Sequence, residues 1–281
     1  MGAIVSSLAF PNPPRDMSAF ALRSEPGLVW LTAQPSGLRI PAVYVTAQRD
    51  SSLNPQQRNR QRPVLLYSHG NAEDLGIILP YLELLANLTQ CDVFGYEYPG
   101  YSISQGHKAS EALCYQAIQA AYNHLIQDRR VNNIIAFGRS LGSGPTVHLC
   151  ATAPAALLGC ILQSPLTSAI RCVLDACTAT ALYPLDIFCN AQKVQRIPCP
   201  VLIIHGLQDT VVPPSHGKEL YQLLQQRIDA QQLHYNPVWV PGRGHNDMPE
   251  QYCLKHCRQF VDWLLHEQDD ACQTEGNAVR V

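Results

Sequence analysis

The sequence has no long apolar run, since no stretch approaches the ~20 consecutive apolar residues that a membrane-spanning helix requires. Near residue 1 there is no charged start followed by an apolar core and a cleavage site, so no secretory signal peptide is predicted. Charge of one sign is also scarce, because 20 lysines and arginines nearly balance 22 acidic residues. Without a broad positive field, nucleic acid is not expected as a partner, and small neutral or lipid-like substrates fit better.

The eleven cysteines begin only at Cys91, and their spacing matches no disulfide framework. We therefore expect reduced thiols in the cytosol. Cys253, His256 and Cys257 lie close together, which suggests a metal site, but no second ligand pair with zinc-type spacing accompanies them. We expect these cysteines to pack within a helix, and we predict neither a metal nor a cofactor.

A chain of 281 residues, 46% apolar and 15% charged, is large enough to bury one sizeable core. We predict a single catalytic domain over residues 28–266. Before it lies a membrane-anchoring segment, residues 1–27, and after it a polar tail, residues 267–281, which we expect to be disordered.

Two short apolar stretches, 28–33 and 39–47, flank Pro35-Ser36-Gly37 and predict an opening antiparallel hairpin. From residue 64 onward, apolar runs of strand length alternate with longer stretches of helical periodicity. This alternation is typical of a mostly parallel sheet with helices on both faces. The predicted strands are 64–68, 92–96, 133–137, 157–162, 201–205 and 237–240.

Three helical stretches lie between or after these strands. One begins behind Ser110, and another presents an apolar face over residues 253–264. In the third, residues 74–89, Pro80 interrupts the helical pattern. We therefore expect that helix to begin near Leu79 or to be kinked there.

The segment Gly138-Arg139-Ser140-Leu141-Gly142 directly follows the predicted strand 133–137 and precedes a helical stretch. This context is typical of a nucleophile elbow, in which a serine on a sharp strand-to-helix turn has a strained backbone. Glycines are needed two residues to either side, because larger side chains would collide with neighbouring structure. Ser140 is the predicted nucleophile, and the alternative is a glycine-rich helix entry with a bystander serine.

A serine hydroxyl needs a base within hydrogen-bond reach, and the base needs a partner that fixes its tautomer. His245 and Asp209 fit these roles, because each lies just beyond a predicted strand at the sheet edge where Ser140 emerges. The competing acids Asp175, Asp186 and Asp247 lack that position after a strand. His69 and His205 stand at strand ends before glycines, where we expect hydrogen-bonded structural imidazoles.

Acyl transfer also needs donors for the developing oxyanion, usually backbone N–H groups. We predict the amide of Leu141, directly after the nucleophile, as one donor. The other is expected in His69-Gly70-Asn71-Ala72, after strand 64–68, where we choose the Asn71 amide first and that of Ala72 second. The alternative there is a plain tight turn.

These features together predict an α/β-hydrolase fold with a minimal cap. Residues 165–197, rich in proline and without clear periodicity, lie where hydrolases of this fold carry a lid. The chain is too short for a large one.

The first residues, Met1-Gly2-Ala3-Ile4-Val5-Ser6, match the pattern in which Gly2 is exposed by methionine removal and acylated with myristate. The alternative is an ordinary disordered start. Residues 48–62 are almost free of apolar side chains and carry Arg49, Arg58, Arg60 and Arg62. They are a tolerated insertion, or a basic patch that faces anionic lipid.

Several motifs together resemble the α/β-hydrolase domain-containing protein 17 family of depalmitoylases over roughly residues 7–265. They are Ser68-His69-Gly70-Asn71-Ala72-Glu73-Asp74-Leu75-Gly76, Tyr96-Glu97-Tyr98-Pro99-Gly100-Tyr101, 138–144, Ser164-Pro165-Leu166-Thr167-Ser168, Ile203-Ile204-His205-Gly206 and Gly244-His245-Asn246-Asp247. The resemblance implies removal of palmitate from cysteines of membrane-attached proteins, at the cytoplasmic face of a membrane, by an enzyme with a lipid-anchored N-terminus.

The chain departs from this family at its start. Animal members carry an N-terminal cluster of palmitoylated cysteines, whereas here no cysteine precedes Cys91. A single myristoyl chain binds membranes only marginally, with a constant on the order of 10⁴ M⁻¹, so stable anchoring needs a second contact. Candidates for this second contact are Leu8, Phe10 and the arginine-rich loop, residues 48–62.

Two other functions stay open at this point. One keeps the chemistry but acts on lipid esters or peptides, as a carboxylesterase, lipase or serine peptidase of the same fold. The other is a non-catalytic scaffold that binds acyl chains.

Overall fold

The computed structural model describes residues 16–48, 62–104, 108–152, 154–172, 186–231 and 233–278, with the backbone alone for 16–18 and 268–278. Gly2, Ser6, Leu8, Phe10 and Asp175 therefore lie outside the described residues, as do the first three arginines of the loop 48–62.

An eight-stranded sheet forms the centre of the molecule, in the order β1-β2-β4-β3-β5-β6-β7-β8. β1 pairs antiparallel with β2, and β2 with β4, while every other pair is parallel. The strands are β1 Leu28–Ala33, β2 Leu38–Val45, β3 Val64–Ser68, β4 Asp92–Tyr96, β5 Ile134–Arg139, β6 Leu157–Gln163, β7 Val201–Gly206 and β8 Val238–Val240. The predicted hairpin and mostly parallel sheet are confirmed.

Six α-helices accompany the strands in the described parts of the chain. They are α1 Asp16–Arg23, α2 Leu75–Thr89, α3 Glu111–Asn123, α4 Ser143–Ala151, α5 Pro214–Leu224 and α6 Glu250–Ala278. As predicted, α3 begins behind Ser110, whose hydroxyl accepts the Leu113 amide at 3.3 Å. A π-helical turn, His124–Asp128, continues α3.

Of the two alternatives predicted for α2, a start near Leu79 is wrong, and a kink there stays a prediction. The helix starts at Leu75, because the Asp74 carboxylate caps it by accepting the Ile77 amide at 3.0 Å. Pro80 lies inside the helix, where it removes one backbone hydrogen bond. Burial of the apolar face compensates for that loss. The buried apolar residues of this face are Leu75, Ile78, Leu79, Leu82, Leu85 and Ala86.

The last helix, α6, extends well into the segment that we expected to be a disordered tail. Its backbone is helical as far as Ala278, beyond the predicted domain end at residue 266. The apolar face predicted over 253–264 is present, since Cys253, Cys257 and Phe260 are buried there.

The core lies on both faces of the sheet, as strand alternation requires. Along β3, Leu65 and Tyr67 pack in the cluster that contains α2 and α6, whereas Val64 and Leu66 pack with α3. A third cluster places α4 and α5 against β6 and β7. Helices on both faces are therefore confirmed.

The cap region is small in its described part. This part consists of three short 3₁₀ turns, Ile170–Cys172, Asn190–Gln192 and Val194–Arg196. Residues 173–185 lie outside the described residues. None of the helices described is both long and apolar enough to cross a membrane.

Candidate active site

Ser140 lies on a sharp turn between β5 and α4, with a left-handed φ of 52°. The glycines around it make room for this turn. A Cβ on Gly142 would lie 2.1 Å from the Ser68 carbonyl oxygen, and one on Gly138 would lie 2.6 Å from the carbonyl oxygen of Gly142. The nucleophile-elbow geometry predicted from the sequence is therefore present.

Three side chains that are distant in sequence meet at this edge of the sheet. Ser140 follows β5, Asp209 follows β7 and His245 follows β8, and parallel pairing through β6 brings these carboxyl ends together. The distance from Ser140 Oγ to His245 Nε2 is 2.9 Å, and that from His245 Nδ1 to Asp209 Oδ2 is 2.7 Å. A hydroxyl, an imidazole and a carboxylate in this order form a proton-transfer chain.

The Asp209 carboxylate is buried and well supplied with donors. Its Oδ1 accepts the amides of Val211 and Val212 at 2.9 and 2.8 Å, and its Oδ2 lies 3.3 Å from His205 Nε2. Burial alone would raise the pKa of Asp209, but hydrogen bonds from His205, His245 and the Val212 amide hold this pKa well below its usual range. The carboxylate therefore stays ionised beside the imidazole.

The competing acids have other partners. Asp186 accepts the amides of Ile170 and Ile187, both at 2.9 Å, and so fixes the cap. Asp247 accepts the Gly244 amide at 2.6 Å and shapes the loop before His245. Neither carboxylate takes the place of Asp209.

His69 and His205 are hydrogen-bonded structural imidazoles, as predicted. His69 is fully buried, with Nε2 2.8 Å from Glu97 Oε1 and Nδ1 2.9 Å from the Gly70 carbonyl oxygen. His205 Nε2 donates to the Val212 carbonyl oxygen at 2.9 Å, and thereby supports the loop that carries Asp209.

Glu97, to which the sequence assigned no role, organises the loop after β3. Its carboxylate meets His69 and also accepts the amides of Leu75 and Tyr98, both at 2.9 Å. This fully buried acid therefore ties the predicted oxyanion loop to the start of α2 and to the end of β4. The sequence signal that could have identified Glu97 is its position as a charged residue directly after an apolar strand.

The predicted oxyanion donors lie on the turns that flank Ser140. Leu141 is buried and follows the nucleophile in a 3₁₀ turn. On the other loop, the Ala72 amide donates to Asn71 Oδ1 at 3.1 Å, whereas the Asn71 amide has no acceptor in the described chain. This difference favours Asn71 over Ala72 as the second donor.

Arg139 joins three loops of the site, a feature that the sequence did not predict. Its guanidinium forms an ion pair with Glu73 after β3, and its Nη2 donates to Asn246 Oδ1 at 3.3 Å, next to His245. Glu73 in turn accepts the Gly70 amide at 3.0 Å. The side chain next to the nucleophile thus connects the oxyanion loop with the histidine loop.

No cluster of three or more histidine, cysteine or acidic side chains with metal-binding geometry occurs among the described residues. The nine cysteines in the described part, which include Cys253 and Cys257, are free thiols. Burial raises the pKa of Cys257 well above its usual value and that of Cys253 to about 11, so both stay protonated at neutral pH.

The chain matches two family models. Residues 103–270 match the prolyl oligopeptidase family, and residues 53–149 match the Chlamydia CHLPS protein family.

Solved structures of hydrolases share the fold at low sequence identity. The esterase Pf2001 of Pyrococcus furiosus superimposes with a TM-score of 0.63 at 15% identity, over 91% of this chain and 99% of the esterase. A puromycin-hydrolyzing peptidase of Mycobacterium tuberculosis gives a TM-score of 0.63 at 15% identity, over 87% of this chain and 40% of the peptidase. The strand order, the elbow and these neighbours define the protein as an α/β hydrolase.

Closer relatives define the family. The human α/β-hydrolase domain-containing protein 17B is 36% identical over 84% of this chain and 75% of its own length. The Xenopus tropicalis protein of the same name is 40% identical over 83% of this chain and 74% of its own length. The chain belongs to the α/β-hydrolase domain-containing protein 17 family, as its sequence motifs indicated.

Proposed function

We propose that this hydrolase removes long-chain acyl groups, such as palmitate, from cysteines of membrane-associated proteins. The hydrolase activity in this proposal is supported by the chain of hydrogen bonds from Ser140 through His245 to Asp209. The substrate class is supported by the resemblance of the motifs to those of depalmitoylases.

In the first half of the reaction, Ser140 Oγ attacks the thioester carbonyl while His245 Nε2 takes its proton. The negative charge on the carbonyl oxygen is stabilised by the amides of Leu141 and Asn71. His245, held by Asp209, then delivers the proton to the leaving cysteine thiolate. The acyl group remains bonded to Ser140 Oγ as an ester.

In the second half, His245 takes a proton from a water molecule, which attacks the acyl-enzyme ester. Collapse of the second tetrahedral intermediate returns the proton to Ser140 and releases the fatty acid. The elbow supports both halves, because its strained turn exposes Ser140 Oγ to the base and to the substrate.

The enzyme is proposed to work at the cytoplasmic face of a membrane. Support comes from the sequence Met1-Gly2-Ala3-Ile4-Val5-Ser6, which fits myristoylation of Gly2. Leu8, Phe10 and the arginines Arg49, Arg58 and Arg60 of the loop 48–62 supply the second contact that one acyl chain needs for stable anchoring. Arg62 is not part of this contact, because it pairs with Asp92 at 3.6 Å.

A second candidate function, hydrolysis of oxygen esters or peptides, is supported by the match of residues 103–270 to the prolyl oligopeptidase family. The same three side chains would perform that reaction. Rates of the purified enzyme on matched thioester, oxygen-ester and proline-peptide substrates distinguish the two functions.

The test of the proposed function is palmitate release from an S-palmitoylated model protein. Ser140→Ala removes the nucleophile and should lower the rate by at least ~10³-fold, because base and oxyanion donors alone replace little of its effect. A fluorophosphonate probe should label the wild type but not this variant. Ser36→Ala, in the distant hairpin turn, is the control and should retain full activity. Equal release by wild type and Ser140→Ala would refute the assignment.

A further inference from the structure

A cleft with a volume of about 210 Å³ opens beside His245. Its wall includes His245 and Asn246 from the loop after β8, Gln163 from the end of β6 and Ile77 from α2. Among the described residues that line it, neither Ser140 nor the proposed oxyanion donors occur. The cleft is therefore on the histidine side of the site.

The histidine side is where the leaving group belongs. In the proposed reaction, His245 gives its proton to the departing sulfur, so the cysteine and its polypeptide must lie within reach of this imidazole. The acyl carbonyl, by contrast, must lie between Ser140 and the oxyanion donors. A cleft lined by His245 alone of the three catalytic side chains is thus placed to hold the polypeptide.

The cleft is lined by a residue with one buried acceptor that has no donor. Gln163 is 7% exposed, and its Oε1 is enclosed without a hydrogen-bond partner in the described chain. Such a buried acceptor costs free energy unless a ligand donates to it. The group that binds here should therefore carry N–H donors.

The charge of the cleft also favours a ligand with N–H donors, and in particular a cationic one. Glu73 and Arg139 form an ion pair and neutralise one another. Glu250 is exposed at the start of α6, and its carboxylate forms no ion pair or side-chain hydrogen bond within the described residues. One uncompensated negative charge therefore remains at the cleft.

We propose that this cleft binds the polypeptide that flanks the acylated cysteine, and that Glu250 and Gln163 select a basic side chain next to that cysteine. The inference rests on the proposed function. Ile77, which is 50% exposed at the cleft, supports the aliphatic stem of a bound lysine or arginine. At the Glu250 end of the cleft an acyl chain is a poorer occupant than a basic side chain, because it would remove water from the carboxylate without pairing it.

The experiment uses short S-palmitoyl-cysteine peptides that are identical except for lysine or glutamate on either side of the cysteine. A palmitoyl thioester of a small uncharged thiol serves as the reference substrate. The wild type should show a kcat/KM roughly fivefold higher for the lysine peptide than for the glutamate peptide, and salt should reduce this preference.

Glu250→Gln keeps the shape of the side chain and should abolish the preference, while Glu250→Lys should reverse it. The rate on the small thioester should stay unchanged in both variants. Gln163→Met should lower kcat/KM for both peptides relative to the small thioester. Asp229→Asn removes an exposed negative charge away from the cleft and is the matched control, which should retain the wild-type preference.

The outcomes distinguish a failure of the cleft proposal from a failure of the proposed function. If the small thioester is hydrolysed but the wild type does not distinguish the peptides, the cleft proposal is wrong and the proposed function stands. If Glu250→Gln retains the preference, Glu250 is not the selecting residue, and the proposal is likewise overturned. If no acyl thioester is hydrolysed, both inferences fail together.

Discussion

Asp209 shows how much of the site depends on the environment of one side chain. Two backbone amides fix Oδ1, and two imidazoles, His205 and His245, approach Oδ2. Because its pKa is lowered in the folded protein, the carboxylate remains charged where burial alone would favour protonation. This charge holds the His245 tautomer with Nδ1 protonated and Nε2 free to accept the serine proton.

Asp209→Asn should lower kcat by about 10³- to 10⁴-fold while the fold is retained, since the amide supports the wrong tautomer of His245. Hydrolysis rates and a circular dichroism spectrum check both parts. Near-normal kcat would show that Asp209 does not orient the base.

The same substitution should change the pH dependence of stability. A folded pKa below the unfolded value of ~3.9 gives stabilisation that is present above that value and is lost as the pH falls through the folded pKa. The difference in free energy of unfolding between wild type and Asp209→Asn should therefore shrink between pH 5 and pH 3, in urea titrations. Asp229→Asn, an exposed acid, should show no such trend. A difference that is constant over this range would contradict this expectation.

Which three side chains meet at the candidate site could be predicted from sequence, because Ser140, Asp209 and His245 each directly follow a recognisable strand. Glu97, Arg139 and Gln163 could not, since their roles arise from contacts between loops that are far apart in the chain. Glu73 and Arg139, for example, are 66 residues apart in sequence.

The turn from β5 to α4 shows the constraints on an element. Gly142 has an ordinary helical φ of −60°, so its backbone conformation does not require glycine. Glycine is required there because a Cβ would come too close to the Ser68 carbonyl oxygen. Gly37, in the hairpin turn, is the opposite case, with a φ of +71° and no heavy atom within 4 Å of the place where a Cβ would lie.

These two glycines give a matched pair of substitutions. Gly142→Ala forces a methyl group against backbone at the elbow, and should destabilise the protein by about 3 kcal/mol or more and reduce activity. Gly37→Ala meets only the left-handed conformational penalty of about 1–2 kcal/mol and should leave activity intact. Urea unfolding and hydrolysis rates provide the comparison. Similar effects of both variants would show that the contact with Ser68 is not the cause.

Strand positions could be predicted to within two residues at every end, because short apolar runs bounded by polar or turn residues specify them. The start of α2 could not. Local preference placed a boundary near Pro80, whereas the Asp74 cap and burial of the apolar face against the sheet extend the helix past it.

At the scale of the whole molecule, the membrane-anchoring segment is proposed for residues 1–27, of which residues 1–15, with the proposed acylation site, lie outside the described structure. Gly2→Ala removes the acceptor for myristate while the catalytic domain is unchanged. Because one acyl chain contributes a membrane affinity on the order of 10⁴ M⁻¹, its loss should move most of the protein from membranes to cytosol.

Fractionation of cells that express each form, with a myristate label, checks this prediction. Ala3→Ser retains Gly2 and should behave as the wild type. Gly2→Ala should keep its rate on a soluble thioester, which separates anchoring from catalysis. Unchanged fractionation of Gly2→Ala would rule out the anchor.

The sequence by itself determined the fold class, the sharp turn at Ser140 and the three side chains that meet at the candidate site, because each depends on local patterns of apolar runs, glycines and strand ends. Only the tertiary structure decided what surrounds them: the buried Glu97 behind the oxyanion loop, the Arg139 link between loops and the cleft beside His245. Those features depend on which loops the parallel sheet brings to one edge, and a chain shows such proximity only after it has folded.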